Sequence, residues 1–237
     1  MLKQIIAFVS AAFLGSAMAA TIHLAGDSTC ASYSVKKYAP LTGWGQALSQ
    51  FVTPGTTVNN RAVSGASSVR FINSGNWQKL LNKVQPGDFV IIQFGHNDQK
   101  KGERYADPAT IYPANLRKMI ADVRAKKATP VLATSIVRCT FRKGKLYDGG
   151  LYPYRDATLA VGRSENVAVV NLNGISENKI NAMGEEEALK MYMYSTDIPK
   201  SKGSDKTHLT ADGAAVVAGW FVEDCKAQKL PIVGCFK

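Results

Sequence analysis

The sequence predicts an α/β fold in which a parallel β-sheet is covered by helices on both faces. Short runs of apolar, mostly β-branched residues alternate along the chain with segments whose apolar residues recur at helical spacing. The strand-like runs are almost continuously apolar, which is typical of strands that are buried on both faces of a parallel sheet. Strands that alternate with helices in this way favour a layered α/β domain.

Five segments are strand candidates. Each is a short apolar run bounded by turn residues, and in chain order they cover residues 21–25, 57–60, 89–94, 131–137 and 167–172. Pro86, Gly87 and Asp88 form a turn signal directly before the third run. We therefore expect a sheet of five strands.

Helical spacing predicts helices between these strands. Apolar residues recur every three or four positions in residues 44–51, 77–84 and 116–123, and again from Val216 to Phe221 near the end. Thr210 precedes the last pattern. A threonine there is suited to cap the helix, because its side-chain oxygen can accept from a free N–H of the first turn.

Residues 1–19 have the pattern of a secretory signal peptide. One charge, Lys3, precedes an apolar stretch, and Ala17-Met-Ala19 gives the small residues of a cleavage site. We expect cleavage near Ala19 and a secreted, extracellular protein. Residues 20–237 then form a single domain, because no linker, repeat or low-complexity segment interrupts them. No later stretch is apolar for long enough to span a membrane, and a monomer is expected.

The chain is strongly basic. Its formal net charge is +11, and removal of the signal peptide with Lys3 leaves +10. Three groups of cations follow predicted strands or precede His208: Lys100, Lys101 and Arg104; Arg138, Arg142, Lys143 and Lys145; Lys200, Lys202 and Lys206. Ligands of open α/β sheets bind at the carboxyl ends of the strands, so these cations favour an acidic polymer as substrate. A charge that only keeps the protein soluble is the alternative, and no feature typical of nucleic-acid binding is present.

Four cysteines in an exported chain favour disulfide formation. Cys225 and Cys235 bracket a short segment at the end of the last predicted helix, and we predict a disulfide between them. Cys30 and Cys139 each follow a predicted strand. The sequence leaves open whether they form a second disulfide or remain as buried thiols.

One serine, one histidine and one aspartate have the positions of a catalytic triad. Ser28 follows the first predicted strand, and Asp205 and His208 lie on one turn before the last predicted helix. A serine hydroxyl becomes a nucleophile when an imidazole accepts its proton and a carboxylate orients that imidazole. The alternative role of Ser28 is to cap the following helix.

Two further segments follow predicted strands and contain candidate oxyanion donors. Acyl transfer places negative charge on the carbonyl oxygen, and preorganised donors stabilise it. Gly65 could contribute a backbone N–H, Asn97 a side-chain amide that donates without titrating, and Ser28 its own backbone N–H.

The remaining polar candidates are assigned supporting roles. His23 alternates within the first strand and is expected in the core, while His96 is expected to shape its loop through hydrogen bonds. Asp27 and Asp98 are expected to support the site, although together they could also be a carboxylate pair for glycoside hydrolysis. The three histidines show no metal-ligand spacing, so neither a metal nor another cofactor is expected.

Four motifs in order carry a resemblance to a known family. Leu24-Ala-Gly-Asp-Ser-Thr29, Gly43-Trp-Gly45, Phe94-Gly-His-Asn-Asp98 and Asp205-Lys-Thr-His208 resemble the SGNH hydrolases and are similar to the rhamnogalacturonan acetylesterases among them. The resemblance implies a flavodoxin-like three-layer α/β/α sandwich with a central five-stranded parallel sheet. It also implies a triad of Ser28, Asp205 and His208, and an oxyanion hole of Ser28, Gly65 and Asn97. Ala66 departs from the pattern, because many relatives have arginine after the glycine.

The resemblance implies a serine esterase that removes acetyl groups from an acidic plant cell-wall polysaccharide, with rhamnogalacturonan as the first candidate. Acetylxylan, another carbohydrate ester or a lipid ester is the alternative with the same chemistry. A noncatalytic carbohydrate-binding protein is the alternative from another functional class.

Overall fold

The computed structural model describes residues 20–147, 149–195, 197 and 203–237. The predicted signal peptide, residues 1–19, lies outside the described residues, as do Lys200 and Lys202 of the predicted basic groups. Among the described residues, no helix combines the length and the apolar character needed to cross a bilayer.

Five parallel strands form the central sheet. The strands of the described chain are β1 (Thr21–Gly26), β2 (Thr57–Asn60), β3 (Phe89–Gln93), β4 (Thr129–Ala133), β5 (Phe141–Arg142), β6 (Lys145–Leu146) and β7 (Val169–Val170). The sheet has the order β2-β1-β3-β4-β7, and each neighbouring pair is parallel. β5 and β6 form a separate antiparallel hairpin. The predicted five-stranded parallel sheet is therefore confirmed.

Helices cover both faces of the sheet. Within the described residues they are α1 (Val35–Tyr38), α2 (Trp44–Ala47), α3 (Ser68–Asn73), α4 (Asn76–Leu81), α5 (Ile111–Ala125), α6 (Tyr152–Glu165), α7 (Leu172–Met183), α8 (Glu185–Leu189) and α9 (Ala211–Ala227). Two short 3₁₀ helices, Leu48–Gln50 and Pro231–Cys235, follow α2 and α9. The Thr210 side chain accepts a hydrogen bond from the N–H of Gly213, so the predicted cap of α9 is confirmed.

The core is divided between the two faces because successive strand residues point in opposite directions. On one face, side chains of the strands pack against α2, α7, α8 and α9, and these are Ile22, Leu24, Ile91 and Val131. On the other face the strands pack against α3, α4, α5 and α6 through Ala25, Val90, Ile92 and Leu132. The fold is the three-layer α/β/α arrangement that the sequence predicts.

The strand order determines where a site can form. β1 lies between β2 and β3, so the connections from β1 and β3 leave toward different sides of the sheet. Such a switch point opens a crevice at the carboxyl ends of the two strands. The loop that contains Ser28 follows β1, and the loop that contains Asn97 follows β3.

The predicted disulfide between Cys225 and Cys235 is wrong. Both residues, like Cys30 and Cys139, are buried free thiols. Cys225 belongs to α9, whereas the Cys235 thiol is hydrogen-bonded to Thr56 and its carbonyl accepts from the Thr53 N–H at 2.9 Å. The short separation in sequence therefore does not bring the two sulfur atoms together, because Cys235 faces a different segment of the chain.

Candidate active site

Ser28, His208 and Asp205 form a continuous hydrogen-bonded chain. Nε2 of His208 lies 2.9 Å from Oγ of Ser28, and Nδ1 of the same ring lies 2.8 Å from Oδ2 of Asp205. Oδ1 of Asp205 accepts hydrogen bonds from the backbone N–H groups of Thr207 and His208 at 3.0 and 2.9 Å. A single turn of the chain therefore fixes both the carboxylate and the imidazole.

The charge of Asp205 sets the tautomer of the imidazole. Burial by itself raises the pKa of Asp205, but the hydrogen bonds from the His208 ring and from backbone N–H groups outweigh it and lower the pKa overall. The carboxylate is therefore ionised at neutral pH and accepts from protonated Nδ1 of His208. Nε2 is then left to accept the proton of the Ser28 hydroxyl.

Ser28 lies in a tight turn directly after β1. The Cys30 N–H donates to the Asp27 carbonyl at 3.2 Å, and the Tyr33 hydroxyl donates to the Ser28 carbonyl at 2.8 Å. The next helix begins only at Val35. Ser28 therefore caps no helix, and its hydroxyl is engaged with His208 instead.

A buried polar network under this turn contains Asp27. Its carboxylate accepts from the Thr29 backbone N–H at 2.9 Å, from the Thr29 hydroxyl at 2.8 Å and from Nε2 of Gln93 at 3.1 Å. Oε1 of Gln93 in turn accepts from Nε1 of Trp44 at 3.0 Å. Burial raises the pKa of Asp27. The network therefore connects the Ser28 turn to β3.

The three predicted oxyanion donors lie on loops that contact one another. Among the described residues, the backbone N–H groups of Ser28 and Gly65 donate to no backbone carbonyl and no side chain. The Val63 N–H donates to the Gly26 carbonyl at 3.0 Å and so anchors the loop of Gly65 beside the Ser28 turn. Gly65 has a φ of +76°, a conformation that glycine adopts without strain.

The side chain of Asn97 is held at both ends. Nδ2 donates to the Ala66 carbonyl at 2.9 Å, and Oδ1 accepts from Nζ of Lys100 at 2.8 Å. An amide nitrogen carries two hydrogens, so one N–H of Asn97 remains for another acceptor. The lysine contact also fixes which end of the amide faces the loop of Gly65.

Asp98 joins the two loops that contain Gly65 and Asn97. One oxygen accepts from the N–H and hydroxyl of Ser68 at 2.8 and 2.6 Å, and the other accepts from the Gly95 N–H at 3.0 Å. Burial raises the pKa of Asp98 to about 7, although the donors of Ser68 and Gly95 oppose this shift. The side chain thus links the two loops. It is fully buried, so its carboxylate is not accessible for a second role as one of a pair of glycosidase carboxylates.

The ring of His96 makes no strong hydrogen bond. It is buried, and within the described residues neither ring nitrogen has a hydrogen-bond partner of normal geometry, although a weaker contact with the Ile136 backbone opposes the fall in its pKa. Burial, followed by the charges of Arg138, His208 and Lys100, holds the pKa of His96 well below its usual range. The ring is therefore neutral, and Asp98 rather than the His96 side chain holds the loop. His23 is in the core as predicted, with its ring nitrogens 2.9 Å from Nδ2 of Asn59 and 3.0 Å from Oδ2 of Asp88.

The predicted cations take different positions. Lys206 pairs with Glu185 at 2.9 Å, and the Arg142 guanidinium lies over the Tyr147 ring, 3.6 Å from its centroid. Lys100 contacts Asn97, and Arg104 lies against Gly65. The loop after β3 therefore brings its cations to the oxyanion residues, whereas the positive charge of Lys206 is paired within the protein.

Sequence analysis did not single out Gln93 and Ser68. Gln93 is a polar residue at the end of an apolar strand, and Ser68 directly follows the predicted Gly65 segment. The positions of both residues indicate a role in the site, because polar groups near the carboxyl ends of parallel strands lie where sites form. Within the described residues no group of three or more His, Cys, Asp or Glu side chains could hold a metal ion.

This sheet, with a serine of its first loop in contact with an Asp-x-x-His turn at the switch point, defines a hydrolase of the SGNH type. The chain belongs to the GDSL-like Lipase/Acylhydrolase family, which matches residues 24–216. It is a carboxylic ester hydrolase. It is 34% identical over 217 residues to "Probable rhamnogalacturonan acetylesterase YesY" of Bacillus subtilis, with 91% of this chain and 96% of the relative covered. It is 32% identical to rhamnogalacturonan acetylesterase RhgT of the same species, with 89% and 91% covered.

Solved structures have the same fold. The crystal structure of Bacillus subtilis protein YxiM matches with a TM-score of 0.78 and 27% identity, and the match covers 90% of this chain but only 57% of that chain. Axe2, an acetylxylan esterase from Geobacillus stearothermophilus, matches with a TM-score of 0.63 and 15% identity, covering 86% and 93%. At 15% identity, the likeness to Axe2 concerns the fold alone.

Proposed function

We propose that this protein is a secreted serine esterase that removes acetyl groups from an acidic plant cell-wall polysaccharide, namely rhamnogalacturonan. The observation that carries the chemistry is the hydrogen-bonded chain from Ser28 through His208 to Asp205. A hydroxyl, an imidazole and an ionised carboxylate in this order are the groups that acyl transfer requires.

In the first half-reaction Ser28 attacks the acetyl carbonyl. Nε2 of His208 takes the proton from Oγ as the new C–O bond forms, and Asp205 stabilises the resulting imidazolium. The oxyanion is stabilised by the backbone N–H groups of Ser28 and Gly65 and by the remaining N–H of Asn97. The carbon–oxygen bond to the sugar then breaks, and His208 returns the proton to the departing sugar hydroxyl.

In the second half-reaction water releases the acetyl group. His208 takes a proton from the water as its oxygen attacks the acetyl-Ser28 carbonyl, and the same donors stabilise the second oxyanion. The bond to Oγ of Ser28 breaks, the serine recovers its proton from His208, and acetic acid leaves and loses its proton to the solvent as acetate. No group outside the protein and water is needed to balance the reaction.

The proposed substrate and the proposed extracellular location are supported by different observations. Two similar proteins are named as rhamnogalacturonan acetylesterases, and the net charge of +11 favours an anionic polymer. Residues 1–19 contain one charge, then an apolar stretch and then small residues. This order supports export by a signal peptide.

Acetate release from a panel of polymers tests the proposal. The purified protein is incubated with acetylated rhamnogalacturonan, acetylated xylan and a lipid ester, and acetate is measured over time. We expect the first polymer to have the highest kcat/KM and a fluorophosphonate to label Ser28 with loss of activity. Faster release from xylan or from the lipid ester would contradict the substrate, and absence of labelling would contradict the chemistry.

A further inference from the structure

Arg104 has an unusual position beside the oxyanion loop. A Cβ atom built on Gly65 would lie 3.9 Å from Cζ, Nη1 and Nη2 of Arg104 alike. Equal distances to these three atoms place that point over the face of the guanidinium group rather than at its edge. One face of the planar group is therefore turned toward the open side of Gly65, where any other residue would carry its side chain.

Within the described part of the chain, no protein group accepts a hydrogen bond from this guanidinium. Arg104 is half-buried, yet among the described residues no carboxylate, carbonyl or hydroxyl lies within hydrogen-bond distance of it. Other cations are neutralised by carboxylates, as in the pairs Arg117–Glu165 at 3.1 Å and Lys206–Glu185 at 2.9 Å. The five N–H donors of Arg104 are thus available to a ligand.

Neighbouring charges add to the attraction for an anion. Burial and then the charges of Arg104 and Arg138 lower the pKa of Lys100, so these three cations are close enough to repel one another. Lys100 meanwhile donates to Asn97 at 2.8 Å. A bound anion relieves the repulsion that Lys100 experiences from these two cations.

We propose that Arg104 is the residue that selects an acidic substrate by binding the carboxylate of a uronate with its guanidinium, whose face is turned toward Gly65. This inference rests on the proposed function, because the uronate belongs to the acetylated polymer. A planar guanidinium matches a carboxylate with two parallel hydrogen bonds. Since Gly65 also supplies an oxyanion donor, the carboxylate belongs to the acetylated sugar or to the residue next to it.

Arg104→Gln tests this role with two forms of one substrate. An acetylated oligosaccharide of rhamnogalacturonan is compared with the same oligosaccharide after methyl esterification of its carboxylates, and p-nitrophenyl acetate serves as the small neutral ester. We expect the wild type to prefer the free acid, and Arg104→Gln to lose roughly 10- to 100-fold in kcat/KM on the free acid alone. The loss on the two neutral esters should be smaller by at least about fivefold. Arg104→Lys, which keeps the charge but loses the planar fork, should recover only part of the loss.

Arg163→Gln is the matched control. Arg163 is an exposed residue near the end of α6, it forms no ion pair within the described residues, and its loss changes the net charge by the same single unit. It should leave all three activities unchanged.

Three results would overturn the assignment: equal rates of the wild type on the acid and its methyl ester, an equal loss on all three substrates in Arg104→Gln, or the same loss in Arg163→Gln. If Ser28 is required and only this selectivity is absent, the inference alone fails. If the wild type releases acetate from neither oligosaccharide, the proposed function fails with it.

Discussion

Nε2 of His208 lies 2.9 Å from Oγ of Ser28, although 180 residues separate the two in sequence. The backbone around His208 is fixed on both sides. Its carbonyl accepts from the Met193 N–H at 2.8 Å, and the Leu209 carbonyl accepts from the Thr42 N–H at 3.1 Å. The loop before α9 is therefore tied to the segments around it, and the imidazole is presented to Ser28 without rearrangement.

Asp205→Asn should lower kcat by about 10⁴-fold, because an amide that donates toward Nδ1 of His208 favours the wrong tautomer. Hydrolysis of p-nitrophenyl acetate gives the rate, and circular dichroism checks that the variant is folded. Asp156→Asn is the control, since Asp156 is exposed and contacts only Arg155 among the described residues. A loss smaller than about tenfold in Asp205→Asn would contradict the role of this carboxylate.

Asn97→Ala should lower kcat by about 10²- to 10³-fold with a smaller change in KM, because an oxyanion donor acts in the transition state. Lys100→Met should produce a weaker effect in the same direction, since it releases Oδ1 of Asn97. Full kinetics with p-nitrophenyl acetate separate kcat from KM. An increase in KM with unchanged kcat would show that Asn97 binds the substrate instead.

Asp98→Asn should change stability in a pH-dependent way. The pKa of Asp98 is raised from 3.8 to about 7 by burial, so between these values the folded protein holds a proton that the unfolded chain has released. The free energy of unfolding contributed by this group therefore falls as pH rises through that window. Asp98→Asn removes the carboxyl group, so the free energy of unfolding of the variant lacks this pH dependence.

The measurement is the difference in Tm between the wild type and Asp98→Asn at about pH 5 and about pH 8. The wild type should exceed the variant by more at the lower pH. A difference that is constant, or that grows with pH, would mean that Asp98 is ionised throughout this range.

Thiol titration distinguishes the structure from the sequence-based expectation for the cysteines. In denaturant without a reducing agent, four thiols per chain should react with a disulfide reagent, because all four cysteines are free. In the native protein the reaction should be slow, since burial raises the pKa of Cys225 to about 12 and that of Cys139 to about 11. Two reactive thiols in denaturant would instead show that the chain contains one disulfide, as the sequence predicts.

The sheet could be predicted from the sequence because its strands are short, apolar and separated by turns. The bounds of β2 match the prediction, and β1 and β3 differ from it by one residue at the carboxyl end. The fourth run was predicted to end at Val137, but β4 ends at Ala133. Ile136 and Val137 continue the apolar run as a buried loop, so apolar character alone does not distinguish such a loop from a strand.

Helices whose buried face contains polar residues or glycine as well as apolar residues were harder to predict. α6 buries Tyr154, Thr158, Val161 and Gly162, and a count of apolar residues gives little weight to threonine and glycine. α7 begins at Leu172, inside the fifth predicted strand. Its cap is Asn171, whose side chain accepts from the Gly174 N–H. A helix forms at Leu172 instead of the predicted strand because the Asn171 side chain accepts from a free N–H of the first turn.

The motif residues of the site could be named from the sequence, but the contacts between loops could not. Asp98 joins Ser68 to Gly95, and Gln93 joins the Ser28 turn to β3. Both links depend on β1 lying next to β3, and the sequence does not specify strand order. The position of Arg104 beside Gly65 depends on the same arrangement of loops.

The rate of ester hydrolysis by Ser28→Ala shows whether the contact between Ser28 and His208 creates the nucleophile. We expect a kcat for p-nitrophenyl acetate at least about 10⁴-fold below that of the wild type, with an unchanged Tm. A folded Ser28→Ala protein that hydrolyses this ester at the wild-type rate would show that another group carries the reaction.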